Sequence, residues 1–421
     1  MEAQKVLEKV IKNIKISSAE EKKINHISSN FCKSLRKKIK NKGLSAQVFV
    51  GGSLAKKTIV KKDKQDIDVF VRFNSKYRGE NLSKLLENVL FKDFKKIHGS
   101  RDYFRKEVKD VIIEVVPVLK IRKPNEAENI TDLSFFHVKY IKSLINKHKR
   151  LSNEIMLAKT FAHASNCYGA ESYIKGFSGY ALELLICHFK SFKKFIKTIA
   201  KHDFLKTKLI IDDKGFFKPK KSVLRKLNES KLESPIILID PTFKQRNALA
   251  GLSNKTLTNF KKHCKKFLKN PNEKLFKPND ESKELIKKHK NQLNIVKIKT
   301  SKQKGDISGT KSKKFYEFFT QKISKEFLIK KRFFKYAEEE NTAYLYYLLN
   351  KKPVETIKGP KTNRKRNTEK FLKKHKNSYI KGKQTYAKIS HDLNFSQFFK
   401  KFKKTYQKTI KQMSIKTIEI I

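Results

Sequence analysis

Residues 66–73, Asp-Ile-Asp-Val-Phe-Val-Arg-Phe, alternate as an extended strand does. Successive side chains of a strand point to opposite faces, so Ile67, Val69 and Val71 share one face while Asp66 and Asp68 share the other. Upstream, Val48-Phe49-Val50-Gly51-Gly52-Ser53 reads as a second strand running into a tight turn. Gly51 and Gly52 remove side chains where backbone amides can approach an anion, and Ser53 adds a hydroxyl at the start of the next helix, where the dipole favours negative charge. A turn of this kind beside two acids predicts a nucleotide site. Carboxylates held close repel each other unless a cation lies between them, and hard oxygen ligands at this spacing suit Mg²⁺, which also bridges to phosphates.

A two-metal site wants a third carboxylate from a neighbouring strand. The run Lys-Asp-Val-Ile-Ile-Glu-Val-Val-Pro-Val-Leu, from Lys109, offers Glu114 among apolar residues, where an unpaired acid is costly. Asp110 shares its face by parity but lies nearer the polar end, and it stays open as the alternative.

Around this pattern the chain reads as helix from residue 3 to about 42, interrupted at Ser17-Ser18 and stopped at Gly43, with Ser18 and Glu21 suited to a capping box. Strands at 46–50 and 66–73, a helix over about 82–94 and a β-ribbon over 102–121 complete an α/β unit of about 140 residues. From Asp132 to about Ala200 the spacing is helical; the apolar run Pro-Ile-Ile-Leu-Ile-Asp then predicts a short buried strand, and another helix after Asp240-Pro241. Beyond about 255, Asn294 to Thr300, a Phe-striped helix and two further apolar runs predict a small βαββ domain with a hairpin at Glu339 to Thr342. Residues 299–312 read as a flexible connection. From about 353 the chain is Lys-rich with scattered aromatics.

Lys and Arg total 100 against 40 Asp and Glu, a formal net charge of +60 spread along the 421 residues. A polyanion is the natural partner, by an electrostatic attraction that carries no information about the reaction. A membrane surface is the competing anionic partner. Against it, Met1 to Lys15 lacks the apolar core of a signal peptide, and no apolar run approaches the roughly 18 residues that span a bilayer. The expectation is a soluble, cytoplasmic protein with no membrane partner. Cys32, Cys167, Cys187 and Cys264 lie far apart, which predicts reduced, mostly buried thiols and neither a zinc ribbon nor a disulfide framework.

The turn, the Asp-x-Asp strand and the later acid resemble the polymerase-β-type nucleotidyltransferase superfamily. Phe136 to Tyr140, Tyr168-Gly169-Ala170-Glu171, Lys175-Gly176-Phe177-Ser178-Gly179-Tyr180 with Glu183, and Asp240-Pro241 followed by Arg246-Asn247 resemble, in order and spacing, the archaeal (class I) CCA-adding enzymes. These motifs cover about residues 45–255; Lys358-Gly359-Pro360 and Phe371 to His375 resemble the family's later elements more weakly. The resemblance implies an α+β multidomain fold: a nucleotidyltransferase head of mixed sheet and helices (1–140), a helical neck for nucleotide recognition (141–255), a small βαββ body (256–352) and a basic α/β tail that binds tRNA (353–421). It implies template-independent addition of C, C and A to the tRNA 3′ end from CTP and ATP, with two Mg²⁺ ions, and it leaves a homodimer open.

Carried over residue by residue, Asp66, Asp68 and Glu114 match the metal-binding carboxylates. Gly52, Ser53 and Lys56 match the turn and its phosphate contacts, while His137, Lys159 and Tyr168 match the nucleotide-binding neck residues. Arg246 matches an arginine that helps read the incoming base. Taken without that resemblance, Lys159 reads as a solvated charge, Tyr168 as a half-buried packing residue and His137 as a satisfied helical histidine. The chain departs from the family in having Glu114 for an aspartate, and Lys56 and Lys175 for arginines, which exchanges a planar fork for a point charge. The competing readings are a poly(A)-type RNA nucleotidyltransferase and a catalytically inactive RNA-binding protein of the same fold.

Overall fold

The computed structural model of the chain describes residues 2–278, 281–301, 305–338 and 340–421. They form two compact units, Met1–Asn279 and Asp280–Ile421. Among the described residues no helix is long and apolar enough to cross a membrane.

In the first unit, α1 (Glu2–Ile14) and α2 (Ser18–Asn41) precede β1 (Ala46–Val50), the single helical turn α3 (Gly52–Ala55) and β2 (Gln65–Phe73). The box that starts α2 uses Ser17 and Glu20, one residue earlier than the spacing of Ser18 and Glu21 suggested: the Glu20 amide donates to Ser17 Oγ and the Ser17 amide to Glu20 Oε2. Helix α4 (Leu82–Glu87) is shorter than expected, because the chain turns at Asn88 although apolar residues continue to Phe94. Strands β3 (Lys95–Ile97), β4 (Tyr103–Val108) and β5 (Val111–Leu119) complete a five-stranded sheet of order β1-β2-β5-β4-β3. Only the β2–β5 pairing is parallel.

One face of this sheet is core. Ile67, Val69, Val71 and Phe73 of β2, with Val111, Ile113 and Val115 of β5, cluster with Ile24, Cys32, Leu35 and Ile39 of α2. Each such side chain contributes roughly 1.5–3 kcal/mol when fully buried. That burial fixes the register, since a slip of one residue would drive Asp66 and Asp68 into the core.

Helices α5 (Ser134–Lys147), α6 (Leu151–Ala164), α7 (Gly179–Phe189) and α8 (Phe192–Lys201) follow. Then come β6 (Leu209–Ile211), the short helices α9 (Val223–Lys226) and α10 (Glu229–Leu232), β7 (Ile236–Asp240), β8 (Phe243–Asn247) and α11 (Asn254–Lys269). The strand at Ile236–Asp240 is as read, but it returns as a hairpin before any helix begins: Asp240 Oδ1 accepts from the Thr242 amide and hydroxyl, closing the turn, and α11 starts only after its cap at Ser253. Phe260, Cys264 and Phe267 of α11 pack in the same core as α6, α7 and α8, so this unit continues past residue 255. All four cysteines are free and buried.

In the second unit, α12 (Glu281–His289) leads into β9 (Leu293–Thr300), α13 (Gly305–Glu326), β10 (Phe327–Ala337) and β11 (Thr342–Lys351), the βαββ order read from the sequence. Ala337 pairs with Thr342 across the hairpin; Glu339 lies outside the described residues. The flexible connection expected over 299–312 is instead the end of β9 and the first turns of α13, with residues 302–304 outside the described set. Its small residues are what let the helix approach: Ser308 and Ser312 are buried, and Ser308 Oγ bonds the Thr300 hydroxyl at 2.6 Å.

Beyond β11, β12 (Glu355–Lys361), α14 (Lys365–Lys374), β13 (Ser378–Lys381) and β14 (Gln384–Ile389) form a small sheet with one helix. Then α15 (Phe395–Thr405) sets Phe398, Phe399 and Phe402 against Phe315 and Phe319 of α13, and α16 (Gln407–Gln412) leads to β15 (Ile415–Ile420). Strand β15 pairs with β9, so the last strand of the chain completes the βαββ sheet.

Candidate active site

The acids sit where the alternation of β2 predicts, on the face away from α2. Parallel pairing places Asp68 directly opposite Glu114 and Asp66 opposite Ile112. Burial first, and then repulsion from Asp66, pushes the Asp68 carboxyl above its ordinary range, against the pull of Lys56, Lys159 and Lys62. Burial and the charge of Asp68 likewise raise Glu114, opposed by Arg105. Asp110 is not part of this group. Its side chain is 72% exposed and paired with Lys23 at 2.9 Å, which leaves Glu114 as the third acid.

The turn and the acids interlock. The Gly51 amide donates to the Asp68 carbonyl at 2.8 Å. Gly52 has φ +58°, and a Cβ there would lie 1.6 Å from Asp68 Oδ2, so any other residue would displace the carboxylate. Helix α3 is one turn long, so it has no appreciable dipole. Binding of an anion here falls to backbone amides, the Ser53 hydroxyl and nearby cations.

The donor set suits a hard divalent cation: three carboxylates on the paired strands β2 and β5, with Asp68 directly opposite Glu114. The described residues do not close into a ready-made cage of three His, Cys, Asp or Glu groups. Lys62 Nζ holds Asp66 Oδ2 at 2.8 Å and the Arg105 guanidinium holds Glu114 Oε1 at 2.7 Å, so cationic side chains take two of the three carboxylates.

Lys56 and Lys159 are buried, so Lys159 is no solvated surface charge. Both donate to one carboxylate, Glu183: Lys56 Nζ to Oε2 at 2.7 Å, Lys159 Nζ to Oε1 at 2.8 Å. Lys159 also reaches the Thr58 hydroxyl at 3.0 Å. Tyr168 is half-buried and stacks on His163 with ring centres 3.9 Å apart; burial, then the charge of Glu183, pushes its phenol up to about 12. The Gly-Phe-Ser-Gly-Tyr motif folds back on this residue. Phe177 bridges to Tyr168, and Gly176 has no room for a side chain, since a Cβ would meet the Cys167 carbonyl at 2.2 Å. Ser178 caps α7 by accepting from the Ala181 amide.

His137 and Arg246 belong to a second cluster, built on Asp240 at the end of β7. Asp240 is fully buried and accepts from His137 Nε2 at 3.1 Å, Tyr180 Oη at 2.9 Å, Arg246 Nη1 at 2.7 Å and the Thr242 amide at 2.8 Å. Burial opposes its charge, but the hydrogen bond from His137, followed by the charge of Arg246, holds its carboxyl well below the usual range. Burial lowers His137, and because ionised Asp240 can only accept, the neutral ring carries its proton on Nε2. His137 stacks on Tyr180 at 3.9 Å, and the Arg246 guanidinium lies 5.5 Å over the same ring.

Sequence reasoning missed the roles of Asp240, Tyr180 and Glu183. The signal was there for the acids: each is embedded in an apolar run, Ile-Ile-Leu-Ile-Asp and Ala-Leu-Glu-Leu-Leu, the same feature that singled out Glu114.

Residues 1–135 match the Second Messenger Oligonucleotide or Dinucleotide Synthetase domain, and residues 153–277 match the second domain of tRNA nucleotidyltransferase. The fold resembles the crystal structure of the Cid1 poly(U) polymerase bound to Mg 3′-dATP, with a TM-score of 0.50 and 15% identity over 65% of this chain and 98% of that one. The CCA-adding enzyme of Methanocaldococcus jannaschii is 29% identical over 98% of this chain and 92% of its own length. That of Nanoarchaeum equitans is 37% identical over 342 residues, 79% of this chain and 81% of its own. Similarity of that extent cannot be confined to the 279 residues of the first unit, and by it the chain belongs to the family of CCA-adding enzymes.

Proposed function

We propose that this chain adds C, C and A to the 3′ end of tRNA, using CTP and ATP and releasing pyrophosphate. The observation that carries the reading is the kinship with CCA-adding enzymes over most of both chains. The net charge of +60 suits a tRNA partner, and the aromatics among the lysines of residues 376–388 suit contact with RNA.

Asp66, Asp68 and Glu114 are the residues that would hold two Mg²⁺ ions, with Lys62 and Arg105 moving off the carboxylates as they do so. Bound there, such ions would supply Lewis-acid polarisation of the α-phosphate and lower the pKa of the primer hydroxyl. The primer 3′-oxygen would give its proton to solvent and form the new P–O bond to the α-phosphorus in line, while the bridging P–O bond to the β-phosphate breaks and pyrophosphate leaves. The Gly52 amide, Ser53 and Lys56 would line the triphosphate together with Lys159 and Tyr168. Arg246, oriented by Asp240 and backed by the His137–Tyr180 stack, would read the base edge, because a planar fork fixed at one end presents its remaining donors in one direction. The domain division into head, neck, body and tail is part of the same reading.

The test is incorporation of labelled CTP and ATP, separately and together, on tRNA ending before CCA. Two C residues from CTP alone, and one A only after them, is the expected pattern. Repeated A from ATP alone would identify a poly(A)-type enzyme, and tRNA binding without incorporation an inactive RNA-binding protein.

A further inference from the structure

Glu183 has no exposed surface, and its two oxygens are divided between Lys56 and Lys159. Two ammonium groups sharing one carboxylate leave a surplus positive charge in a place shielded from water. Buried ions are tolerated when their charges cancel, and this trio does not cancel by itself. The acid whose field reaches both lysines is Asp68. Asp68 is also the group that a bound cation would engage, and once it is engaged Glu183 alone is left to balance the two lysines among the described residues that pair with them.

The bonds point the same way. An ammonium has three N–H groups. Among the described residues Lys56 uses one of them, on Glu183, and Lys159 uses two, on Glu183 and Thr58. Both therefore keep donors for an anion. The three residues also come from three separate places: Lys56 follows the Gly-Gly-Ser turn, Lys159 lies on α6 and Glu183 on α7. Glu183 thus ties the turn to the helices that carry the nucleotide-facing side chains.

We infer that Glu183 is a positioning residue for the nucleotide's polyphosphate: it holds Lys56 and Lys159 side by side beneath the turn and itself touches no substrate. The inference rests on the nucleotidyl-transfer reading above. Removing its charge would leave two like charges with nothing between them, so the lysines would separate and their grip on the triphosphate would weaken equally before and in the transition state. Such a loss raises KM and spares kcat.

The experiment uses the full chain with Mg²⁺ and tRNA ending before CCA, and compares Glu183→Gln with the wild type. The expected result is a rise of about tenfold in KM for both CTP and ATP, the loss of about one charge-assisted contact, with kcat within about twofold and tRNA affinity unchanged. If E183Q does not fold, Glu183→Asp takes its place. That side chain keeps the charge but is too short to reach both lysines, and a rise of about threefold is expected. A folded variant with wild-type KM values, or one losing nucleotide and tRNA affinity together, would overturn the inference. A wild-type protein that binds neither CTP nor ATP would instead sink the functional reading and leave the inference without a substrate.

Discussion

Asp68 is half-buried and Asp240 fully buried, and their surroundings push their carboxyls in opposite directions. Asp68 is raised by its burial and then by Asp66, against the pull of three lysines; Asp240 collects His137, Tyr180, Arg246 and Thr242 and is lowered. The first accepts no donor strong enough to offset its burial, and the second has every lone pair engaged. The balance of donors around each acid therefore sets the direction of its shift, even where burial raises both.

The largest effect that could break this comparison is on turnover. Asp68→Ala should lower CMP and AMP incorporation about a thousandfold, the equivalent of about 4 kcal/mol of transition-state stabilisation, with the fold retained. Incorporation at the wild-type rate would remove Asp68 from the chemistry.

Next in size is Asp240→Asn. It removes a fully buried charge that His137, Tyr180 and the half-buried Arg246 all engage, so thermal or urea unfolding should show a loss of about 3 kcal/mol. Because Arg246 is then free to swing, misincorporation from GTP and UTP should rise. Unchanged selectivity would reduce Asp240 to a packing role.

Gly52→Ala should destabilise by about 1–2 kcal/mol from its left-handed backbone alone. The Cβ also displaces the Asp68 carboxylate, so incorporation should fall further than the lost stability explains. If activity and stability fall in proportion, the turn does not set the position of Asp68.

Smallest, and opposite in sign, is Asp68→Asn without metal. Because burial and then Asp66 outweigh the pull of Lys56, Lys159 and Lys62, removing this charge should stabilise the protein by about 1 kcal/mol at neutral pH. The pH dependence sharpens the contrast. Since the folded pKa of Asp68 is raised, wild-type stability falls as pH increases from the unfolded value of about 3.9 through the folded one, and D68N removes that fall. Asp240 has a depressed folded pKa, so its contribution is present above about 3.9 and is lost as pH drops below it. D68N should therefore gain on the wild type as pH rises from about 4 to 7, whereas the deficit of D240N should stay constant there and shrink only as pH falls below about 4.

Much of the active face was legible because it rests on short-range rules. Alternation placed Asp66 and Asp68 on one side of β2, and the cost of an unpaired acid among Val and Ile residues singled out Glu114. Residues 299–312 were misread because Gly, Ser and Thr mark loops in isolation, yet here they form the face by which α13 approaches its sheet. The strand at the end of the chain was invisible for a related reason, since its partner β9 lies more than a hundred residues earlier.

The sequence by itself determined which residues face a core, where the glycine turn falls and that two acids must share a surface, because these follow from periodicities of two and 3.6 residues. Only the tertiary structure decided that Glu114 rather than Asp110 stands opposite Asp68, that Lys56 and Lys159 share Glu183, and that His137 and Arg246 meet at Asp240. Each of those pairings depends on strand register or on helices far apart in the chain, and long-range contacts of that kind are set by how whole surfaces pack.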